Sequence, residues 1–136
     1  NIRDWLYVED HVDALLLIMK KGTNGSSYCI GGDEEVTNLK LVKKICNILE
    51  QVKQNNTTYS ELISFVEDRP GHDFRYSINS SKLRNELGWK PKYNLDNALI
   101  KTIKWYVNNQ DWSNKILYES GYDGGRLGLN SLSEWL

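Results

Sequence analysis

Apolar residues recur at intervals of three and four along two long stretches, and this spacing restricts what the chain can fold into. One stretch begins at Val8 and ends with two lysines before Gly22, and the other follows Thr37 and Asn38, either of which can cap a helix. Such a repeat is typical of a helix with one buried face. The predicted buried faces are Val8, Val12, Leu15, Leu16 and Met19 in the first helix, and Leu39, Leu41, Val42, Ile45, Ile48, Leu49 and Val52 in the second.

Two further helices follow later in the chain. A short one is capped by Asn79 or Ser80 and ends at Gly88, and a long one covers residues 95–109. Beyond Asp111 the periodicity fades. We therefore expect about four helices, followed by a C-terminal tail that forms no regular element.

Runs rich in β-branched and aromatic residues predict three short extended segments. They are residues 3–8, residues 27–30 and residues 62–66. The second is closed by Gly31-Gly32, where the backbone can turn sharply or approach another group closely. Together with the helices, these segments predict an α/β fold in which residues 1–112 form one portion and residues 113–136 a tail.

The segment 67–76 specifies backbone geometry and polar chemistry together. Pro70 presets its own φ for the second position of a tight turn, and Gly71 accepts the positive φ of a type II turn at the third. Arg69 and His72 then occupy corners within about 7 Å of each other. A guanidinium and an imidazole so placed can hold one anionic ligand. The alternative is a polar surface turn in which Arg69 pairs with a neighbouring aspartate.

Composition argues against several function classes. Seventeen basic and eighteen acidic residues are mixed along the chain, so no nucleic-acid partner is expected. No apolar run approaches the roughly 20 residues of a membrane span. Cys29 and Cys46 lie far apart in apolar contexts, which predicts two reduced core thiols in a cytoplasmic protein and no metal site. The chain opens at Asn1 with a strand-like run, which suggests part of a longer protein; a complete small protein is the alternative.

Catalytic signatures are absent from the printed sequence. It contains no Gly-x-Gly-x-x-Gly, no Gly-x-x-x-x-Gly-Lys and no Tyr-x-x-x-Lys, so it holds no dinucleotide fingerprint and no Rossmann core of its own. His11 falls on a predicted amphipathic helix, and Glu34 with Glu35 resembles a solvated turn. The chain has binding chemistry without catalytic chemistry.

Five short motifs follow one another within residues 1–112. They are Arg3-Asp4-Trp5-Leu6-Tyr7-Val8-Glu9-Asp10-His11, Tyr28-Cys29-Ile30-Gly31-Gly32, Thr37-Asn38-Leu39, Asp68-Arg69-Pro70-Gly71-His72-Asp73 and Glu86-Leu87-Gly88-Trp89-Lys90-Pro91.

In that order the motifs resemble the C-terminal portion of the dTDP-glucose 4,6-dehydratase family, extended short-chain dehydrogenases that act on nucleotide sugars. The first and last motifs are shared with nucleotide-sugar epimerases and decarboxylases, and the turn motif narrows the resemblance to the dehydratases. The resemblance implies a nucleotide-sugar substrate-binding portion. The residues implied to bind the dTDP-sugar are Arg3, Asn38, Asp68, Arg69, Pro70, Gly71, His72 and Tyr122.

The resemblance also implies what this chain does not contain. In the family, an N-terminal half binds NAD and carries the catalytic residues, and the enzyme pairs as a homodimer through helices of that half. The reaction converts dTDP-glucose to dTDP-4-keto-6-deoxyglucose, and the chain alone is expected to be inactive. The alternatives are a related UDP-sugar dehydratase, epimerase or decarboxylase, or a stand-alone anion-binding or interaction domain.

Overall fold

The computed structural model describes residues 1–121, which form five α-helices, one 3₁₀ turn and a two-stranded sheet. The four predicted helices are confirmed, as is the α/β class. No parallel sheet of the Rossmann type occurs within the described residues. In chain order the elements are β1 (Ile2–Asp4), α1 (Val8–Lys21), β2 (Glu35–Thr37), α2 (Asn38–Lys53), the 3₁₀ turn (Tyr59–Leu62), α3 (Ser81–Leu87), α4 (Leu95–Asn108) and α5 (Gln110–Ser120).

Strand β1 lies between two partners. On one side it pairs antiparallel with β2, with Arg3 opposite Val36. On the other side, the Ile2 amide donates to the carbonyl of Phe74 at 2.8 Å and the Tyr76 amide donates to the carbonyl of Ile2 at 3.1 Å. These bonds fix the segment after residue 72 beside β1. They place Arg3 next to the predicted turn, although the two are far apart in sequence.

The Gly31-Gly32 pair lies against β1 and the residue after it. Both oxygens of the Asp4 carboxylate accept backbone bonds at 3.1 Å, one from Gly32 and one from Glu34. A Cβ atom on Gly31 would lie 2.6 Å from Asp4 Oδ2, and one on Gly32 would lie 2.4 Å from the carbonyl oxygen of Trp5. The predicted close approach of the backbone at this pair is confirmed.

A small core forms between α1 and α3. Its buried members are Ala14, Leu83 and Trp89, and burial of such apolar surface contributes about 25 cal/mol per Å². Elsewhere α2 packs along α4, where Leu41 and Ala98 are buried. Half-buried residues that complete the first cluster are Leu6, Leu17, Ile18, Tyr28, Ile30 and Leu87.

Asp10 is the largest buried polar side chain of the described residues, with 1% of its surface exposed. Its two oxygens accept from the backbone amides of Lys92 at 2.9 Å and Tyr93 at 3.2 Å. A buried carboxylate is tolerated when such donors satisfy it. The sequence predicted Asp10 on the polar side of α1, whereas the structure uses it to attach α1 to the segment that leads into α4.

Local caps decide where the helices begin and end. The Thr37 hydroxyl accepts from the amide of Lys40 at 3.2 Å, so Thr37 and not Asn38 caps α2. Ser80 occupies the cap position of α3, and Gly88 ends that helix with a φ of 70°.

The apolar face predicted to be the buried side of α1 is exposed. Val8 is 66% exposed and Met19 is 81% exposed, and three further members of that face are each 46% exposed. The described core contacts a neighbouring face of the helix, through Ala14, Leu17 and Ile18. The repeat correctly predicted a helix, but the direction of packing depends on elements that local spacing does not report.

Two of the predicted strands are wrong. Residues 27–30 belong to no strand, and their apolar character is explained by Tyr28 and Ile30, which pack against the core cluster. Residues 62–66 also form no strand, and Phe65 is 81% exposed. A strand needs a partner for its backbone groups, and no described segment pairs with these residues. The first extended segment is shorter than predicted, because α1 begins at Val8.

Three further predictions need correction. Helix α5 covers residues predicted to form no element, and its start is held by Trp112, whose ring lies 5.1 Å from that of Trp105. Glu35, predicted in a solvated turn, lies in β2. Cys29 is exposed, whereas Cys46 is buried as expected. The division into residues 1–112 and 113–136 stays a prediction.

Candidate functional site

The turn predicted at residues 68–72 is present. Gly71 has a φ of 68°, the positive value required at the third position of a type II turn. The Asp68 carboxylate accepts the backbone amide of Arg69 at 2.9 Å, which holds the first corner. The turn lies immediately before the segment that is fixed to β1, so its position is determined by the sheet.

His72 is the centre of a polar cluster. Its Nδ1 lies 2.8 Å from Asp68 Oδ1, and its Nε2 lies 2.6 Å from Nη2 of Arg3. The Asn1 amide nitrogen donates to Asp68 Oδ2 at 3.0 Å and lies 3.0 Å from His72 Nδ1. The sequence predicted that Arg3 and His72 serve one ligand, and the structure places them in direct contact.

Arg3 is held from several directions. Its Nη1 donates to the carbonyl of Ile2 at 2.7 Å, and its Nη2 donates to the carbonyl of Asp73 at 3.1 Å. The guanidinium carbon also lies 4.5 Å from the centre of the Tyr76 ring, within the range of a cation–π contact. These contacts orient the arginine at the edge of the turn.

Arg69 occupies the corner of the turn directly after Asp68. The hydrogen bond from Tyr76 to the Asp73 carboxylate raises the pKa of the Tyr76 phenol, and the positive charges of Arg3 and Arg69 both act in the opposite direction. Arg69 is exposed, which leaves its side chain accessible to a ligand.

A cavity of about 780 Å³ adjoins this cluster. Its polar lining includes Asn1, Asn38, Ser64, Asp68 and His72, and most of its apolar lining comes from α2 and from residues 59–66. The side chain of Asn38 is not needed as the cap of α2, because Thr37 provides that cap. A concave site with a few convergent polar groups has the form of a small-molecule binding site.

The electrostatics of the cluster are governed by Asp68. Hydrogen bonds from Asn1, and then from His72 and the Arg69 amide, hold the pKa of the Asp68 carboxyl well below its usual range. A nearby ion pair is separate from the cavity: the Arg75 guanidinium donates to both oxygens of Glu35, at 2.7 and 2.8 Å. That pair lowers the pKa of Glu35 and attaches the segment after the turn to β2.

The structure brings together most of the predicted site residues. His72 contacts Arg3 through one ring nitrogen and Asp68 through the other. Asn38 lines the same cavity as Asp68 and His72. Pro70 and Gly71 form the turn itself, and Tyr122 lies outside the described residues. Sequence reasoning missed the parts played by Asn1, Tyr76 and the Asp73 carbonyl, because no local pattern reveals a contact across about 70 residues.

A second cavity, of about 600 Å³, lies between α2, α4 and the start of α1. It is lined mainly by aromatic and aliphatic side chains, including Trp5, Tyr93 and Trp105. Neither arginine nor histidine lines it, so this cavity does not have the groups expected of an anion site.

Comparison with known proteins agrees with the motifs. The sequence model of the GDP-mannose 4,6 dehydratase family matches residues 1–102, which is most of the chain. The chain belongs to this family. The predicted resemblance to the dTDP-glucose 4,6-dehydratases is also confirmed: the enzyme of that name from Escherichia coli is 45% identical over 133 residues. That match covers 95% of this chain and 36% of the relative, so the chain spans about a third of the length of such family members.

Solved structures of family members have the same fold over the matched part. The dTDP-glucose 4,6-dehydratase of Bacillus anthracis, in complex with NAD, is 41% identical with a TM-score of 0.70, covering 82% of this chain and 33% of that one. The Streptomyces venezuelae enzyme DesIV, with NAD and TYD bound, is 33% identical with a TM-score of 0.67 and the same coverage. The predicted fold class and the use of NAD by the complete family enzyme are confirmed.

Residues 1–121 were also compared with the requirements of a membrane-spanning helix and of a metal site. Each helix of this part is too short or too polar to cross a bilayer. In the same part, no three side chains of His, Cys, Asp or Glu come together as a metal ion would require.

Proposed function

We propose that this chain is the substrate-binding part of a dTDP-glucose 4,6-dehydratase, the enzyme that converts dTDP-glucose to dTDP-4-keto-6-deoxyglucose. The observation that carries the proposal is that Asn38, Asp68 and His72 line one cavity and that Arg3 contacts His72. In this proposal Arg69, which is exposed at the corner of the same turn, supplies a second guanidinium to the diphosphate. Each charge-assisted contact to a phosphate oxygen contributes about 1.5 to 3 kcal/mol.

The NAD of the complete enzyme is not expected to bind to this portion. A dinucleotide site needs a glycine-rich turn between a parallel strand and a helix. The printed sequence has no such glycine pattern, and the described residues contain only an antiparallel pair of strands. In this proposal NAD supplies the hydride chemistry from another portion, and the present residues orient the sugar nucleotide.

The exposed apolar face of α1 supports a partner within the same protein. Large apolar side chains on a helix face are normally covered. This face includes Val8, Val12 and Met19, and the chain spans about a third of its family relatives. We infer that an N-terminal, NAD-binding portion covers it. A homodimer formed through that portion, and a location in the cytoplasm, belong to the same proposal.

The first test is turnover by the 136-residue chain alone. We expect no 4-keto-6-deoxy sugar when the chain is incubated with NAD and dTDP-glucose, because the sequence lacks a Tyr-x-x-x-Lys pair and a dinucleotide turn. The complete enzyme, assayed in parallel, is the positive control. Formation of the keto sugar by the chain alone would show that catalysis does not depend on another portion.

A related UDP-sugar dehydratase, epimerase or decarboxylase is the second candidate, because the arginines and the histidine recognise phosphate and not the base. Titration of the complete enzyme with dTDP and with UDP separates the two candidates. We expect tighter binding of dTDP. A clear preference for UDP would favour the second candidate, and binding of neither nucleotide would contradict both candidates.

A further inference from the structure

We propose that Asp68 is a positioning residue that acts through His72, and not a direct ligand of the diphosphate. This inference rests on the proposed function, because it concerns the same cavity. A carboxylate beside a diphosphate repels it, and each such like-charge contact opposes binding. Yet Asp68 lines the cavity together with Asn38 and contacts His72. The presence of Asp68 in the cavity lining therefore needs an explanation other than direct contact with a phosphate.

The oxygens of Asp68 are directed towards protein donors. Asp68 Oδ1 accepts the Arg69 amide at 2.9 Å and lies 2.8 Å from His72 Nδ1, and Oδ2 accepts from Asn1 at 3.0 Å. These donors keep the carboxylate in one orientation. The residue is therefore built into the turn and holds the ring of His72 by one nitrogen.

The distances around His72 decide which ring nitrogen carries the proton. With the proton on Nδ1, the ring donates to Asp68 at 2.8 Å, and its Nε2 lone pair accepts from Arg3 at 2.6 Å. With the proton on Nε2, an N–H would face the Arg3 N–H, since a guanidinium has only donors. The Nδ1 lone pair would then face the Asp68 oxygen. Only the contact from Asn1 to Nδ1, at 3.0 Å, favours that second form.

The first tautomer satisfies two of the three contacts, including both that involve a charged group. In many functional sites, a carboxylate that accepts a hydrogen bond from one imidazole nitrogen fixes the tautomer and leaves the second nitrogen as an acceptor. Asp68 thereby fixes Nε2 as the acceptor for Arg3. In the absence of this carboxylate, the ring is free to place an N–H against Arg3 and displace the guanidinium from the edge of the cavity.

The tautomer is measurable without any ligand. In the complete enzyme labelled with ¹⁵N-histidine, a long-range ¹H–¹⁵N correlation spectrum distinguishes a protonated Nδ1 from a protonated Nε2, and the variant His72→Gln assigns the signal. We expect the Nδ1–H form at His72, and loss of this preference in Asp68→Ala. A wild-type His72 in the Nε2–H form would overturn the proposal even if no variant can be purified.

Binding of dTDP then tests whether Asp68 acts through the histidine. We expect Asp68→Asn to raise the dissociation constant about fivefold to tenfold in the wild-type background, because its amide cannot accept all three donors. In the His72→Gln background the same Asp68→Asn substitution should change the dissociation constant for dTDP less than twofold. An equal loss in both backgrounds would show a purely structural effect and overturn the proposal.

Glu67→Gln is the matched control. It removes one negative charge directly before Asp68, at an exposed residue that does not line the cavity. We expect this variant to bind dTDP within about twofold of the wild type, and a loss as large as that of Asp68→Asn would instead indicate a general charge effect. If wild-type enzyme fails to bind dTDP, the proposed function fails; if it binds and Asp68→Asn binds equally well, only the positioning role fails.

Discussion

The variant Arg69→Ala is expected to bind dTDP about 1.5 to 3 kcal/mol more weakly, which is roughly a 10- to 150-fold rise in the dissociation constant. Arg69 is exposed at the corner of the turn that also carries Asp68 and His72. A diphosphate carries about two negative charges, and a guanidinium that pairs with it in a partly desolvated site contributes in this range. Isothermal titration of the complete enzyme with dTDP measures the effect.

Arg75→Ala is the matched control for this prediction. Arg75 carries the same charge six positions further along, but its guanidinium is committed to both oxygens of Glu35. We expect the control to bind dTDP within about twofold of the wild type. Equal losses in the two variants would indicate a general effect of positive charge, and an unchanged constant in Arg69→Ala would remove Arg69 from the site.

The variant Leu83→Ala is expected to lower the free energy of unfolding by about 2 to 5 kcal/mol. Leu83 is fully buried and packs with Ala14 and Trp89 in the small core between α1 and α3. Truncation removes apolar contacts and leaves a cavity that the surrounding helices fill only in part. Urea denaturation followed by tryptophan fluorescence reports the change, because Trp89 belongs to the same cluster.

Leu62→Ala is the matched control, because it is the same leucine-to-alanine substitution at an exposed position. The side chain of Leu62 is 71% exposed at the end of the 3₁₀ turn, so its truncation should change the free energy of unfolding by about 0.5 kcal/mol or less. Similar losses in the two variants would contradict the assignment of the core to the α1 and α3 contact.

The site combines a short-range and a long-range arrangement. The turn at residues 68–72 depends on Pro70 and Gly71, whose backbone preferences operate locally. The meeting of that turn with Arg3 depends on the bonds from Ile2 to Phe74 and Tyr76, which join segments more than 70 residues apart. A substitution that alters the turn, or one that breaks the backbone bonds to Ile2, would separate Arg3 from His72. We expect either change to weaken the binding of a diphosphate.

Four of the five described helices were predictable because their signals are local. A repeat of three and four residues, a capping Thr37 and a terminating Gly88 all act within a few positions of the residues that they order. Strands were not predictable in this way. The run at 62–66 has the composition of a strand, yet it forms none because strand formation needs a partner that composition does not specify.

The amino-acid sequence by itself determined four of the five helices of residues 1–121, the end of α3 at Gly88, the turn with its positive φ at Gly71, and the family resemblance. Only the tertiary structure decided which face of α1 meets the core, that Asp10 is buried, and that Asp68, His72 and Arg3 form one cluster. The physical reason is range. Backbone propensity and capping act over a few residues, whereas burial and hydrogen bonding between distant segments depend on how the whole chain packs.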